Sequence, residues 1–193
     1  MSAVNRASRG FLFLLALIVI LLVCGAWVYR FEICYYHNRE SIESAALRYQ
    51  VPPKLIGAVI WQETRFNRLC RGKAGEIGLM QIMPASAREW AKVEHIPDFD
   101  PETLFDRGTN ILAGTWYLGR AIKRWNAQTD PFPYALAEYN AGRSNAIRWD
   151  RINVTNAQDF TSVISYPTTR AYVKTVLRHY RAFGQPWKRW GKE

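Results

Sequence analysis

The sequence predicts an all-α protein in which one apolar N-terminal helix precedes a single helical domain. Apolar side chains recur at helical spacing along most of the chain, and proline or glycine stands where these stripes begin and end. One long charge-free apolar run lies near the N-terminus. The 193 residues suffice for one ordinary domain and a short appendage, but they are too few for two catalytic domains.

The first element is the apolar run from Phe11 to Tyr29, which has the length that a helix needs to cross a bilayer. We therefore expect a membrane anchor over residues 10–29. Arg6 and Arg9 precede it, and the positive-inside tendency then places residues 1–9 in the cytoplasm. The protein is expected to cross the inner membrane once, with its domain on the periplasmic side.

Two alternatives to an uncleaved anchor stay open. A signal peptide could be cut near the small residues around Gly25 and Ala26, although its apolar region is usually shorter. A lipid attached to Cys24 is less favoured, because Val23 occupies a place where such motifs have a small residue.

A polar stretch follows the anchor, and we expect residues 30–44 to form a connector or a first helix before a domain over 45–193. Val51-Pro52-Pro53 then interrupts the chain. Pro53 suits the first position of a new helix that runs to about Phe66. Its apolar stripe consists of Leu55, Ile56, Val59 and Ile60.

A glycine-rich loop separates this helix from the next ones. Gly72, Gly75 and Gly78 indicate turns, and a helix is expected after Pro84. A central helix is predicted over Asn110 to Trp125, with its stripe formed by Ile111, Leu112, Trp116, Leu118 and Ile122.

Two further helices are predicted towards the C-terminus. Pro133 opens one of them, and Gly142 closes it as a left-handed cap, so that Tyr139 and Asn140 lie in its last turn. The other carries a stripe formed by Tyr172, Val173, Val176, Leu177 and Tyr180.

Composition narrows the classes of partner. The formal charge of +10 and the pI near 9.8 favour an anionic partner, such as a membrane surface or an acidic wall polymer. Nucleic acid is disfavoured, because there is no zinc-finger spacing, no helix-turn-helix pattern and no basic run interleaved with aromatic residues. Cys24, Cys34 and Cys70 lack the close spacing of a metal site, and whether Cys34 and Cys70 pair stays open.

Glu63 is a candidate catalytic acid. It follows Ile60 by three residues and Ile56 by seven, so a helix places its carboxylate at the edge of the apolar face. Burial destabilises an ionised carboxylate and raises its pKa, which lets the group hold a proton near neutral pH. The alternative is a solvated glutamate paired with Arg65.

Four motifs occur in one order: Gln62-Glu63-Thr64-Arg65-Phe66-Asn67, Gly78-Leu79-Met80-Gln81-Ile82-Met83-Pro84, Glu138-Tyr139-Asn140-Ala141-Gly142 and Thr169-Arg170-Ala171-Tyr172-Val173. Together they resemble the catalytic domain of the soluble lytic transglycosylases, which share a lysozyme-like helical fold with goose-type lysozyme. The resemblance extends roughly from Ala45 to Phe183.

The resemblance implies that Glu63 is the catalytic acid and base. It implies that the sugar cleft is lined by Thr64, Met80, Gln81, Tyr139, Asn140 and Tyr172, although for Met80 a packing role is the better reading. Thr64 keeps the hydroxyl of the serine that the family usually has there. No cofactor or metal is implied.

Two departures concern carboxylates. Thr168 stands where the family commonly has glutamate, which removes an acid expected in the cleft. Glu138 stands where alanine is common, and we expect a surface residue there in preference to a compensating carboxylate.

The resemblance implies a peptidoglycan lytic transglycosylase, which cleaves the bond between N-acetylmuramic acid and N-acetylglucosamine and leaves 1,6-anhydro ends. The alternatives are a hydrolytic muramidase and a non-catalytic protein that binds peptidoglycan. All three have glycan strands as their partner.

Overall fold

The computed structural model describes residues 3–152 and 156–185, with side chains from residue 11 onwards. Within these ranges the chain forms α-helices and one short 3-10 turn at Pro101–Phe105, and its only β-type pairings are isolated bridges in the loop after the fourth helix. The helices are α1 Ala3–Val28, α2 Arg30–His37, α3 Arg39–Tyr49, α4 Pro53–Thr64, α5 Pro84–Val93, α6 Arg107–Arg124, α7 Phe132–Ala141, α8 Arg143–Asp150, α9 Ala157–Val163 and α10 Pro167–Arg181. The all-α prediction is confirmed.

Helix α1 contains the predicted apolar run. Residues Phe11–Val28 form one helix that is long and apolar enough to cross a membrane, and no part of this window is buried in the protein. Backbone hydrogen bonds from Tyr29 to Gly25 and from Ile33 to Tyr29 continue the helical pattern into α2. Helix α1 therefore passes into α2 with little interruption.

The segment expected as a connector or a first helix is helical and is packed into the domain. Phe31 and Tyr35 of α2 are buried, as are Ile42 and Ala45 of α3. The Phe31 ring meets the Trp61 ring edge-on, with centroids 5.4 Å apart. The hydrophobic core thus begins at the first turn of α2.

Helix α6 is the central element. It packs against α3 on one side and α7 on the other, and α5 also contacts it. Asp106 caps its N-terminus by accepting a hydrogen bond from the Thr109 amide over 2.9 Å. Helix α4 lies against α10, and this pairing brings the first and the fourth sequence motifs together.

Candidate active site

Glu63 lies in the last turn of α4, directly after the buried part of that helix. Ile56 and Ile60, which precede it by seven and three residues, are fully buried. The helix ends because Arg65 and Phe66 adopt positive φ angles of 54° and 66°. This reversal leaves the half-buried Glu63 side chain at the edge of the core, as its spacing predicted.

Tyr172 of α10 is the direct partner of Glu63. Its hydroxyl donates a hydrogen bond of 2.8 Å to Glu63 Oε1. Tyr172 is buried, and the packing of α10 on α4 holds the two side chains together. One carboxylate oxygen is therefore oriented by a fixed donor.

Three influences set the protonation of Glu63. Burial raises its pKa to about 7 from an ordinary value of 4.5, the Tyr172 hydrogen bond lowers the pKa, and the negative charge of Glu76 raises it. Burial dominates because the ionised carboxylate loses hydration that one hydroxyl cannot replace. Near neutral pH a large fraction of Glu63 holds a proton that it can donate.

Hydrogen bonds from side chains of three helices hold the loop of residues 70–83 next to Glu63. Thr64 donates its hydroxyl to the Leu79 carbonyl over 2.9 Å, and Tyr139 donates to the Met80 carbonyl over 2.8 Å. The buried Asn110 amide donates to the carbonyls of Ile77 and Leu104, each over 2.8 Å. Because these donors are neutral and buried or half-buried, they fix the loop without adding charge next to Glu63.

Gln81 is held in the same loop with an unusual backbone conformation. Its φ is 48°, and its side-chain amide donates to the Gly78 carbonyl over 2.9 Å. The side chains of Gln81 and Glu76 both lie over Gly72, where a Cβ would overlap the Glu76 carboxylate and the Gln81 oxygen. Gln81 and Glu76 are therefore neighbours.

Tyr139 and Asn140 lie in the last turn of α7, as predicted. Burial and the nearby Glu63 carboxylate raise the pKa of Tyr139 well above its ordinary value, so its hydroxyl stays neutral. Asn140 is exposed, and its Oδ1 accepts a hydrogen bond of 2.8 Å from Thr169. Gly142 ends the helix with φ 86° and ψ 154°, which is a glycine conformation but not the left-handed cap that we expected.

The structure thus assembles Glu63, Thr64, Gln81, Tyr139 and Tyr172 around one loop. The expectation that Met80 lines the cleft is wrong for its side chain, which is fully buried and packs against Gly114 of α6. Met80 contributes through its backbone, because its carbonyl accepts a hydrogen bond from Tyr139 and its amide donates one to Asn110 Oδ1.

Glu76 is the site residue that the sequence analysis missed. It is half-buried, its carboxylate accepts a hydrogen bond from the Ala74 amide over 3.0 Å, and among the described residues it has no cationic partner within ion-pair distance. Its position between Gly75 and Gly78 was the only feature of the sequence that could have indicated a place in the site. Thr168, where a carboxylate was expected, is exposed.

Glu138 is not a surface residue, so that expectation is wrong. It is 3% exposed, forms an ion pair with Arg124 and accepts a hydrogen bond of 2.8 Å from the Trp125 indole. Both partners lie at the end of α6. The carboxylate therefore joins α7 to α6.

No group of three or more His, Cys, Asp or Glu side chains among the described residues is arranged to hold a metal ion. Cys24, Cys34 and Cys70 are all free thiols. The described groups at the site are the Glu63 carboxyl group with its hydroxyl partner Tyr172, and a second carboxylate, Glu76.

Comparisons with known proteins find the same domain. The family model for the transglycosylase SLT domain matches residues 40–160. The soluble lytic murein transglycosylase of Escherichia coli K12 is 33% identical over 140 residues, which are 69% of this chain and 21% of the relative. Membrane-bound lytic murein transglycosylase F of Desulfosudis oleivorans is 35% identical over 107 residues, which are 54% of this chain and 22% of that protein.

Solved structures agree with the sequence comparisons. An inactive glutamate-to-glutamine mutant of the lytic transglycosylase Slt of Pseudomonas aeruginosa matches with a TM-score of 0.70 and 27% identity, over 77% of this chain and 24% of that one. The 70 kDa soluble lytic transglycosylase of Escherichia coli matches with a TM-score of 0.68 and 30% identity, over 78% and 25%. The chain thus spans about a fifth to a quarter of these proteins. With a family model that covers most of the domain, this chain belongs to the transglycosylase SLT domain family.

Proposed function

We propose that this chain is a peptidoglycan lytic transglycosylase. The observation that carries the proposal is the half-buried Glu63 carboxyl group, whose pKa of about 7 and contact with Tyr172 suit a group that first donates and then accepts a proton. It lies within the region that matches the transglycosylase SLT domain, and proteins similar to this chain include lytic murein transglycosylases.

The reaction needs only one acid and base. Protonated Glu63 gives its proton to the glycosidic oxygen between N-acetylmuramic acid and N-acetylglucosamine, and the bond to C1 breaks while the substrate's acetamido oxygen stabilises the positive carbon. The Glu63 carboxylate then takes the proton of the muramoyl C6 hydroxyl, and that oxygen bonds to C1. The 1,6-anhydro product forms without water, so the enzyme is a carbon-oxygen lyase. An intramolecular nucleophile has a high effective concentration, which removes the need for a second base.

The surrounding residues would position these groups. Tyr172 orients the Glu63 carboxyl, while Thr64 and Tyr139 hold the loop that carries Gln81. We assign the half-buried Gln81 and Tyr139, the buried Tyr172 and the exposed Asn140 to substrate contact, because they surround Glu63 or border the α7 end of the site. In the Pseudomonas aeruginosa relative, a glutamate-to-glutamine mutant is inactive, which agrees with a catalytic glutamate.

We also propose that α1 anchors the enzyme in the inner membrane, with residues 1–9 in the cytoplasm and the domain on the periplasmic side. The support is the exposed apolar helix and the membrane-bound relative from Desulfosudis oleivorans. Glycan strands next to the membrane would be the substrate, and the net charge of +10 suits both anionic surfaces.

The test is an analysis of the products that the detergent-solubilised full chain releases from isolated sacculi, read by mass spectrometry. We expect 1,6-anhydro muropeptides from the unmodified chain and a loss of at least about a hundredfold for Glu63→Gln, which cannot donate the proton. Glu40→Gln is the matched control, because Glu40 is exposed on α3. Equal and negligible release from the unmodified chain and Glu63→Gln would instead indicate a non-catalytic peptidoglycan-binding protein.

A second candidate function is hydrolysis by a muramidase, and Glu76 is the observation that favours it. Glycosidases that use water employ two carboxylates, one as the acid and one to activate water or to attack. Glu76 is close enough to raise the pKa of Glu63 and lacks a cationic partner among the described residues. Products with reducing ends, each heavier by one water than the anhydro form, would identify this reaction.

A further inference from the structure

The junction between α1 and α2 lies where the proposed membrane span ends. The apolar window closes at Val28, and Trp27 and Tyr29 flank that point with more than two fifths of each side chain exposed. Tryptophan and tyrosine favour the interface between membrane and water. If α1 spans the bilayer, the next residue, Arg30, lies at the level of the lipid headgroups.

Near this end of the proposed span, two guanidinium groups lie close to the indole ring of Trp61. The Arg30 guanidinium lies 5.2 Å from the centroid of the Trp61 ring, and the Arg65 guanidinium lies 4.9 Å from it. Neither has a carboxylate within ion-pair distance among the described residues. Burial lowers the pKa of Arg65 and the charge of Arg30 lowers it further, which is the signature of two like charges held close together.

The same place offers an unused hydrogen-bond donor. Trp61 is 4% exposed, and its indole N–H has no acceptor among the described residues. Buried donors without acceptors are uncommon, because each one forfeits its hydrogen bonds to water. An anion beside Trp61 would offset the repulsion between Arg30 and Arg65 and bring an acceptor close to this donor.

A cavity of about 480 Å³, which Arg65 lines, lies between α2 and the loop after α4. Its lining includes the basic residues Arg65, Arg68 and Arg107, together with the apolar side chains of Ile33, Phe66 and Leu69. None of the lining residues that the structure describes is acidic. A ligand with a phosphate group and an attached apolar part matches this combination.

We propose that Arg30, Arg65, Arg68 and Arg107 bind the phosphate group of an anionic phospholipid, and we call these four residues the juxtamembrane arginine site. The inference depends on the proposed membrane span but not on the proposed reaction. A lipid is favoured over other phosphate compounds because the site adjoins the end of α1 and because apolar side chains line its cavity. Binding would hold the domain against the membrane from which the anchor emerges.

The experiment measures lipid retention by the full chain in neutral detergent, with native mass spectrometry and the thermal unfolding midpoint as readouts. Phosphatidylglycerol and phosphatidylcholine are added separately, since both carry a phosphate but only the first has net charge. We expect phosphatidylglycerol to bind more tightly, and Arg30→Gln/Arg65→Gln to weaken it by roughly tenfold to thirtyfold.

Two further variants serve as controls. Arg88→Gln/Arg151→Gln removes the same charge from exposed positions elsewhere and is expected to bind like the unmodified chain. Arg30→Lys/Arg65→Lys keeps the charge and should retain part of the binding, which also shows that the domain stays folded.

Three outcomes would overturn the proposal. The first is unchanged phosphatidylglycerol binding by Arg30→Gln/Arg65→Gln, and the second is an equal loss in Arg88→Gln/Arg151→Gln, which would indicate charge attraction without a site. The third is stabilisation by inorganic phosphate or by soluble peptidoglycan fragments that equals the effect of phosphatidylglycerol, which would assign the site to a free anion or to the wall polymer. Sacculus cleavage is expected to persist in every one of these variants, so failure here leaves the proposed reaction untouched.

Discussion

The surroundings of the Glu63 carboxyl group shift its pKa in opposite directions. Burial and Glu76 favour the protonated acid, while the Tyr172 hydroxyl favours the carboxylate. A group that must donate a proton in one step and accept one in the next benefits from this balance. Tyr172 and Glu76 are therefore the two residues through which the pH range of the reaction can be changed.

Substitution of Glu76 and substitution of Tyr172 should shift the pH–activity profile of cleavage in opposite directions. Glu76→Gln removes a negative charge and lowers the pKa of Glu63, so the alkaline limb of the activity profile should shift to lower pH. Tyr172→Phe removes a donor that stabilises the carboxylate, so the limb should shift to higher pH. The measurement is the initial rate of muropeptide release between acidic and alkaline pH.

Glu40→Gln provides the control for this experiment, because it removes an exposed carboxylate from α3 and should leave the profile in place. An alkaline limb that stays put or moves upward in Glu76→Gln would show that Glu76 does not act on Glu63.

Residue roles were predictable where they depend on local spacing and not where they depend on contacts across the fold. The place of Glu63 at the edge of the apolar face followed from Ile56 and Ile60. The proximity of Glu76 did not, because a glycine-containing loop has no fixed geometry in sequence. The burial of Glu138 was missed because its partners, Arg124 and Trp125, belong to another helix.

At the scale of elements, periodicity predicted the long helices and missed the short ones. Helices α4, α6 and α10 lie where apolar stripes placed them, and α5 and α7 lie where Pro84 and Pro133 indicated helix starts, whereas α8 and α9 were not predicted. Helix α8 has eight residues and α9 has seven, and each buries two residues, too few to form a stripe. Helix α4 ends at Thr64, two residues before its predicted end at Phe66, because Arg65 and Phe66 adopt left-handed conformations. No local sequence pattern indicated these conformations.

The loop of residues 70–83 is the element on which the site depends, and Gly78 is its tightest point. Gly78 has φ 72°, and a Cβ there would overlap the Asn110 amide and the Leu104 carbonyl. Asn110 is the residue that fastens the loop to α6. A side chain at position 78 would therefore displace the Asn110 amide group, which donates to the Ile77 carbonyl and accepts a hydrogen bond from the Met80 amide.

We expect Gly78→Ala to destabilise the protein more than Gly75→Ala does. Gly75 also has a positive φ, of 96°, but nothing lies within 4 Å of its missing Cβ. Gly75→Ala should cost about 1–2 kcal/mol from backbone conformation alone. Gly78→Ala should cost a further 1–3 kcal/mol, roughly, from overlap, and should also reduce cleavage. The measurement is the thermal unfolding midpoint of each variant. An equal fall in the midpoint for both variants would contradict the proposed overlap with Asn110.

At the scale of the whole molecule, the proposed anchor α1 and the domain are joined through the hydrophobic core and not by a flexible linker. Phe31 lies at the centre of an aromatic cluster with Trp61, Phe66 and Phe183, at centroid separations of 5.4 to 6.4 Å. The Glu32 carboxylate accepts a hydrogen bond of 3.2 Å from the Gly184 amide beyond α10. Helix α2 therefore connects α1 to both ends of the domain, and with α1 in a membrane, as proposed, this connection restricts how far the site can move from the bilayer.

This arrangement leads us to propose that the folding unit begins near Arg30, before the boundary at residue 45 that the sequence suggested. A chain that starts at Arg30 should unfold cooperatively, because it keeps Phe31, Tyr35 and Ile42 in the core. A chain that starts at Ala45 should not, since the loss of one large buried side chain costs about 3–5 kcal/mol and small domains have only about 5–15 kcal/mol in total. Circular dichroism during heating measures both, with Phe31→Ala in the longer chain as an intermediate case. A cooperative transition in the shorter chain at the same temperature would show that α2 and α3 are dispensable, and the domain could then swing freely about the anchor.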